Sequence, residues 1–222
     1  MEKIKAAIFD MDGTILDSMQ FWTFCPELYI ESLGLKPQEG LGEKLFSMNM
    51  KEGAEFLKRE YKLNFSTVEI CRGINNILKD AYANKIQFKD GAEDFLKELK
   101  ANGTKIALCT NTDRELFAPA LKRLNAEQYF NRIFTASEMG MSKEHPEIFN
   151  AVSDFLETVP QETWVFEDAL YAIRTAKNAS YKTCGIYDKS FEKHKDEIKK
   201  YSTIYCNNYE EAKNFFFEYF KC

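Results

Sequence analysis

The amino-acid sequence predicts an α/β fold: a doubly wound parallel sheet with an all-helical module inserted straight after its first strand. Two observations carry this. From about residue 88 onward, short apolar runs alternate with helical patterns, the signature of consecutive β-α-β units. Between residues 18 and 86 the pattern changes to helices only. The 222 residues exceed one modal domain, which suits a core with an insertion. The expected division is 1–15 with 87–222 for the core and 16–86 for the helical module.

The first element is the apolar run 4–9, too short for a buried helix and closed by the turn signal at Gly13. Helical periodicity follows over 18–33, 52–61 and 67–84, and Pro26 predicts a kink or a break in the first of these. The chain crosses between module and core near 15–17 and again near 88–91. A helix over 92–100 ends at Asn102-Gly103, before a buried strand over 105–109. Further strands are expected over 132–135, 164–166 and 183–187, then an edge strand over 201–206 and a last helix over 210–220. The aromatic run Phe215-Phe216-Phe217 with Phe220 reads as core packing of that helix, because its flanks are not basic enough for a membrane face.

Composition excludes several classes of function. Hydrophobic residues make up 45% of the chain, with 19 Phe, enough for a sizeable core. A net charge of −5 with scattered Lys and Arg lacks the basic footprint that nucleic acid requires. No apolar segment reaches the length of a membrane span. The first apolar run is short and ends in acids, so no signal peptide is expected and the protein reads as cytoplasmic. The six cysteines show no metal-ligand spacing and read as thiols in a reducing compartment, with Cys109 and Cys184 in the core. The expected partner is a small molecule, with no nucleic acid and no membrane, and the expected assembly is a monomer or a weak dimer. His145 and His194 lie far apart among charged residues and read as surface positions.

Chemistry concentrates where strands end. Asp10-Met11-Asp12-Gly13-Thr14 puts two carboxylates at the C-terminal edge of the first strand, where ligands bind in open α/β sheets. Thr110-Asn111-Thr112 follows the second strand just before a helix opening near Arg114. Its hydroxyl and amide groups suit phosphate oxygens, and an ordinary helix cap would account for them equally well. Glu167-Asp168 ends a later strand, and two acids there are costly unless a cation or donors satisfy them. Lys143 stands in a loop before a helix; taken alone, a lone lysine is most often solvated. Together these residues form a coherent set of four acids, a lysine and a threonine at neighbouring edges. Oxygen ligands of this kind hold magnesium, and phosphoryl transfer needs that charge neutralisation and positioning.

At this point the chain resembles the haloacid dehalogenase superfamily, in its phosphatase branch with a small helical cap. Asp10-Met11-Asp12-Gly13-Thr14 resembles the first motif and Thr110 the second. Lys143 with Pro146 and Ile148-Phe149 is similar to the third, and Glu167-Asp168 to the fourth. The stretch from Asp17-Ser18-Met19 to Trp22 and the late Tyr187-Asp188 are similar to the beta-phosphoglucomutase-like group. The resemblance implies a Rossmann-like core with an inserted helical cap and a magnesium-dependent phosphatase. Asp10 would be the nucleophile and Asp12 the general acid, then base. Thr110, the Asn111 backbone and Lys143 would hold the phosphate. Asp10, Asp168 and the Asp12 carbonyl would hold the metal, and Glu167 would serve through water or by orienting a ligand.

Departures from the group's pattern bear on the reaction. The mutases carry a cap His where Trp22 stands and a cap Arg where Met50 stands, with Lys51 beside it, so Trp22, Met50 and Lys51 become candidate substrate-selecting positions. A hexose phosphomutase and a non-catalytic regulatory binding protein are the alternatives to hydrolysis. The family's dehalogenases lack the second acid of the first motif, so Asp12 argues against that chemistry. Ala172 replaces a usual Gly and Glu144 a usual Pro, and neither change removes a catalytic group. Lys36, Lys44, Lys51 and Lys58 are the cap lysines open to Schiff-base chemistry, and each also reads as an ordinary surface residue. The aromatics Phe21, Trp22, Phe24 and Phe46 suit either a substrate pocket or cap packing.

Overall fold

A computed structural model describes residues 4–45 and 48–218. In chain order these form β1 (Ala6–Phe9), α1 (Met19–Ser32), α2 (Leu41–Leu45), α3 (Met50–Glu60), α4 (Thr67–Asn84), α5 (Ala92–Ala101), β2 (Lys105–Thr110) and α6 (Arg114–Arg123). Then come β3 (Arg132–Thr135), α7 (Ala136–Met139), α8 (Glu147–Phe155), β4 (Thr163–Glu167), α9 (Leu170–Asn178), β5 (Lys182–Ile186), α10 (Lys195–Tyr201), β6 (Ile204–Cys206) and α11 (Tyr209–Lys213). The chain divides into two compact units, one of Met1–Asp17 with Gln87–Cys222 and one of Ser18–Ile86.

In the first unit all six strands run parallel, in the order β3-β2-β1-β4-β5-β6. The chain builds outward from β1 through β2 to β3, then returns to the other side of β1 for β4. That reversal is the topological switch point where open α/β sheets bind ligands. Every residue of β1 is buried, as a central strand covered on both faces requires. On one face Phe9 stacks on Phe166 with centroids 4.2 Å apart, and Phe95 meets both rings edge-on. Phe216 closes that cluster against Phe95, Trp164 and Phe166, so the Phe215-Phe216-Phe217 run does pack into the core. Phe220 lies outside the described residues, as do Phe46 and Cys222. On the other face Ile8, Cys109 and Val165 pack with Phe149, Val152 and Ala172 of α8 and α9.

The second unit has its own core, in which Tyr29, Ile30, Leu57, Ile70, Ile74 and Leu78 are buried together. Two helices open on reciprocal capping boxes: Asn49 with Glu52 for α3, and Ser66 with Glu69 for α4. Gly73 lets α4 approach Tyr29, since a Cβ there would sit 2.3 Å from the Tyr29 ring.

Pro26 breaks nothing: α1 runs through it from Met19 to Ser32. Proline removes the N–H that would reach the Trp22 carbonyl, and the Cys25 thiol donates to that carbonyl instead, at 3.2 Å. The edge strand is shorter than its sequence suggests. Tyr201 ends α10, and β6 begins only at Ile204. In α10 a single residue, Ile198, is buried, so no apolar periodicity marks the helix in the sequence. The short α2 carries no periodic signal for the same reason of length.

Candidate active site

The register of the sheet sets the site. Phe9 pairs with Leu108 on one side and Phe166 on the other, so the chain leaves β1 at Asp10 beside the end of β4. The Asp10 amide donates to the Phe166 carbonyl at 2.9 Å, which carries the pairing to the edge itself. Gly13 then takes a left-handed φ of 78°, a conformation that costs glycine nothing and turns the chain directly after the two acids.

Lys143 is 1% exposed, and its ammonium is ion-paired to both Asp10 and Glu167, the latter at 2.7 Å. Burial opposes its charge, but those two carboxylates outweigh burial and hold the ammonium well above its ordinary value. The loop lysine is therefore a fixed interior charge. Asp10, Glu167 and Asp168 bring one oxygen each within 4.8 Å of one another. Burial pushes the Glu167 carboxyl up to about 7, against the pull of Lys143. Burial and then the neighbouring Asp10 and Glu167 push Asp168 well above its ordinary value. Thr14 donates to Asp168 Oδ1 at 3.2 Å, while Asp168 Oδ2 is buried with no hydrogen-bond partner among the described residues.

That orphaned oxygen is the test for a metal. Three carboxyl groups meet one ammonium, the raised Glu167 and Asp168 carboxyls reflect negative charge that this one cation does not offset, and one buried oxygen has no donor among the described residues. An all-oxygen donor set of this kind fits a hard divalent cation such as magnesium.

The other predicted residues fall in both units. Thr112 Oγ1 donates to Asp12 Oδ2 at 2.6 Å, tying the second acid of the first motif to the end of β2. Thr110 is buried and its hydroxyl oxygen accepts from the Thr112 amide at 3.1 Å, which leaves the hydroxyl proton to donate elsewhere. The Asn111 side chain turns away to Tyr171, donating to its phenol at 2.8 Å. In the helical unit Trp22 and Met50 pack against its core, and Trp22 Nε1 donates to the Tyr82 hydroxyl at 3.0 Å. Lys51 is exposed, as are His145 and His194. Lys44 lies over the Phe56 ring at 4.4 Å.

Sequence reasoning missed Lys89. Its ammonium donates to the Gly13 carbonyl at 2.7 Å, the Tyr187 carbonyl at 2.7 Å and Asp188 Oδ2 at 2.8 Å. It thereby fastens the turn after Asp12 to the loop after β5. Tyr209 adds a second tie to that turn, donating to the Thr14 carbonyl at 2.9 Å. A single lysine in a Phe-Lys-Asp-Gly turn carries no sequence signal for this role. Only Tyr187-Asp188 after an apolar strand pointed to that side of the site.

Comparison with known proteins agrees with this arrangement. The model of the haloacid dehalogenase-like hydrolases matches residues 7–186. A phosphorylated carbohydrates phosphatase from Thermotoga maritima is 27% identical over 176 residues, covering 79% of this chain and 82% of its own. The structure of beta-phosphoglucomutase from Clostridium difficile aligns with a TM-score of 0.69 at 23% identity, covering 97% of this chain and 98% of its own. That of YfnB from Bacillus subtilis, bound to magnesium, aligns with a TM-score of 0.79 at 19% identity, covering 97% and 99%. The family match spans β1 to β5 and takes in the strand ends that carry the clustered acids and the loop that carries Lys143, so the chain belongs to the haloacid dehalogenase-like hydrolases.

Proposed function

We propose that this enzyme is a magnesium-dependent phosphatase that hydrolyses a small phosphorylated metabolite, a sugar phosphate, through an aspartyl phosphate on Asp10. One observation supports this above the rest: an ammonium buried between two carboxylates, next to a third carboxylate with an unpartnered oxygen. The carbohydrate-phosphate specificity of the Thermotoga relative supports the substrate class.

In this reading the Asp10 carboxylate attacks phosphorus, and the bond to the leaving oxygen breaks as Asp12 delivers a proton to it. Asp12 then takes a proton from water, which attacks the same phosphorus and returns Asp10 as carboxylate. Thr112 holds the Asp12 carboxylate ready for both transfers. The Thr110 hydroxyl and the Asn111 backbone N–H donate to phosphoryl oxygens, and Lys143 offsets charge between the phosphoryl group and Asp10. The side chains of Asp10 and Asp168 and the Asp12 carbonyl would hold magnesium, with Glu167 serving through water or by orienting a ligand, and the ion would neutralise phosphoryl charge. The helical unit acts as a cap that selects substrates. Trp22 and Met50 stand where the mutases carry His and Arg, so the devices that retain a bisphosphate are replaced and hydrolysis is favoured.

A phosphate-release assay over a panel of sugar phosphates, with magnesium and with excess chelator, tests the proposal. Release that requires magnesium is the expected result; full activity in chelator would overturn the metal assignment. Efficient conversion of beta-glucose 1-phosphate to glucose 6-phosphate with little phosphate release would overturn hydrolysis as the reaction.

A further inference from the structure

The hydrogen bond between Asn111 and Tyr171 crosses the sheet edge at its most reactive point. Asn111 follows β2, Tyr171 sits in the first turn of α9 beyond β4, and β1, which is followed directly by Asp10, lies between those two strands. The bond therefore links the two sides of the strand that delivers the nucleophile. Asn111 is exposed and 41% of Tyr171 is open to solvent, so a ligand can reach both.

The direction of the bond is informative. The Asn111 amide is the donor, so the phenol oxygen accepts and its own hydrogen is left over. No described residue accepts that hydrogen. The phenol lies within electrostatic reach of Glu167, Lys143, Asp10 and Asp168, and burial followed by Glu167 holds it above its ordinary value. It is thus a neutral O–H donor throughout the neutral range.

We propose that Tyr171 is a phosphate-contacting residue of this enzyme, its phenol oriented by Asn111 so that the O–H donates to a phosphoryl oxygen of the bound ester. The inference rests on the phosphatase reading. Its neighbours decide which part of the substrate it meets. Asn111 continues the Thr110 segment that holds phosphate in that reading, and Lys143 neutralises the same group. A contact with the phosphoryl group, unlike one with the leaving group, is independent of what the phosphate is attached to.

Tyr171→Phe tests this, because it keeps the ring and removes only the hydroxyl. The readouts are the inhibition constant of inorganic phosphate, and KM and kcat on acetyl phosphate and on p-nitrophenyl phosphate. One hydrogen bond to a charged group sets the scale, about tenfold. The inhibition constant and both KM values should rise together by about that factor, with kcat changed less than about twofold, as for uniform binding. The thermal midpoint should not move. Asn111→Ala, which leaves the phenol unoriented, should weaken phosphate binding in the same direction. Unchanged phosphate inhibition and unchanged KM in Tyr171→Phe would overturn the inference while leaving the phosphatase reading intact. A KM change on one ester alone would also overturn it, assigning the phenol to a leaving group. A wild-type enzyme that releases phosphate from neither ester, with magnesium present, would overturn the phosphatase reading and this inference with it.

Discussion

Asp10 and Lys143 share one small, buried space as an ion pair, the arrangement that a carboxylate attacking phosphorus and a lysine shielding it would need. Replacing Asp10 by Asn keeps the size and would remove the proposed nucleophile. Asp10→Asn should lower turnover by about a thousandfold or more and abolish the mass increment of the phosphoenzyme in rapid-quench mass spectrometry. A wild-type rate in that variant would refute the covalent mechanism. Asp12→Asn should slow both half-reactions, by about 10²–10⁴-fold, since a carboxamide shuttles no proton. Single-turnover and steady-state rates, compared on one acyl phosphate and one alkyl phosphate, separate the two steps. The acyl phosphate, a mixed anhydride with a carboxylate leaving group, needs less leaving-group protonation and should suffer less in the first. At this scale the acids are legible in sequence, because carboxylates at the end of an apolar strand are too costly to be idle. Thr112 and Lys89 are not. A threonine at a helix start reads as a cap and a lysine in a turn as solvated. Only the folded chain brings them to Asp12, 100 residues away from Thr112, and to Gly13, 76 residues away from Lys89.

Elements follow the same division between what is local and what is not. The buried strands are plain in sequence as short apolar runs, and both faces of β1 are covered as those runs require. The path of α1 through Pro26 is not, because continuity there depends on Cys25 supplying a donor to the Trp22 carbonyl. Nor is α10, whose one buried residue, Ile198, leaves no periodic stripe to read. The capping box of α4 offers a test. The Ser66 hydroxyl accepts from the Glu69 amide at 3.2 Å while Glu69 accepts from the Ser66 amide at 2.7 Å. Ser66→Ala should destabilise the fold by about 1 kcal/mol, seen as a lower urea midpoint at unchanged slope. An unchanged midpoint would mean that the box contributes nothing to the folded state.

For the whole molecule, the buried acids make stability depend on what neutralises them. A cation bound by the folded chain alone stabilises it by mass action, about 2.7 kcal/mol at a hundred times its dissociation constant. Magnesium should therefore raise the thermal midpoint and chelator should return it to the metal-free value, in the absence of any substrate. A midpoint indifferent to magnesium up to tens of millimolar would contradict a site at Asp10 and Asp168. The two units invite a second comparison. Met50→Leu keeps packing volume within the helical unit, and Trp22→Phe keeps an aromatic ring there while giving up the bond to Tyr82. They should shift preference among sugar phosphates while leaving kcat on acetyl phosphate within about threefold. An equal loss on every substrate would place a catalytic group in that unit.

The two crossings are paired with each other. Lys89 N donates to the Ile15 carbonyl at 2.8 Å and Asp17 N to the Gln87 carbonyl at 2.9 Å, so residues 15–17 and 87–89 form a short antiparallel ribbon. Chain leaves the core and returns to it at one place, through ends already clasped. The core thus carries a socket rather than a seam. Bringing the ends together costs little more for a long insert than for a short one, since loop closure grows only logarithmically with length. Whatever is plugged in there, whether a pair of helices, a bundle or a bare turn, leaves the sheet and its reactive strand ends in register. A scaffold of this shape can exchange its specificity as a cassette, with the chemistry inherited unchanged.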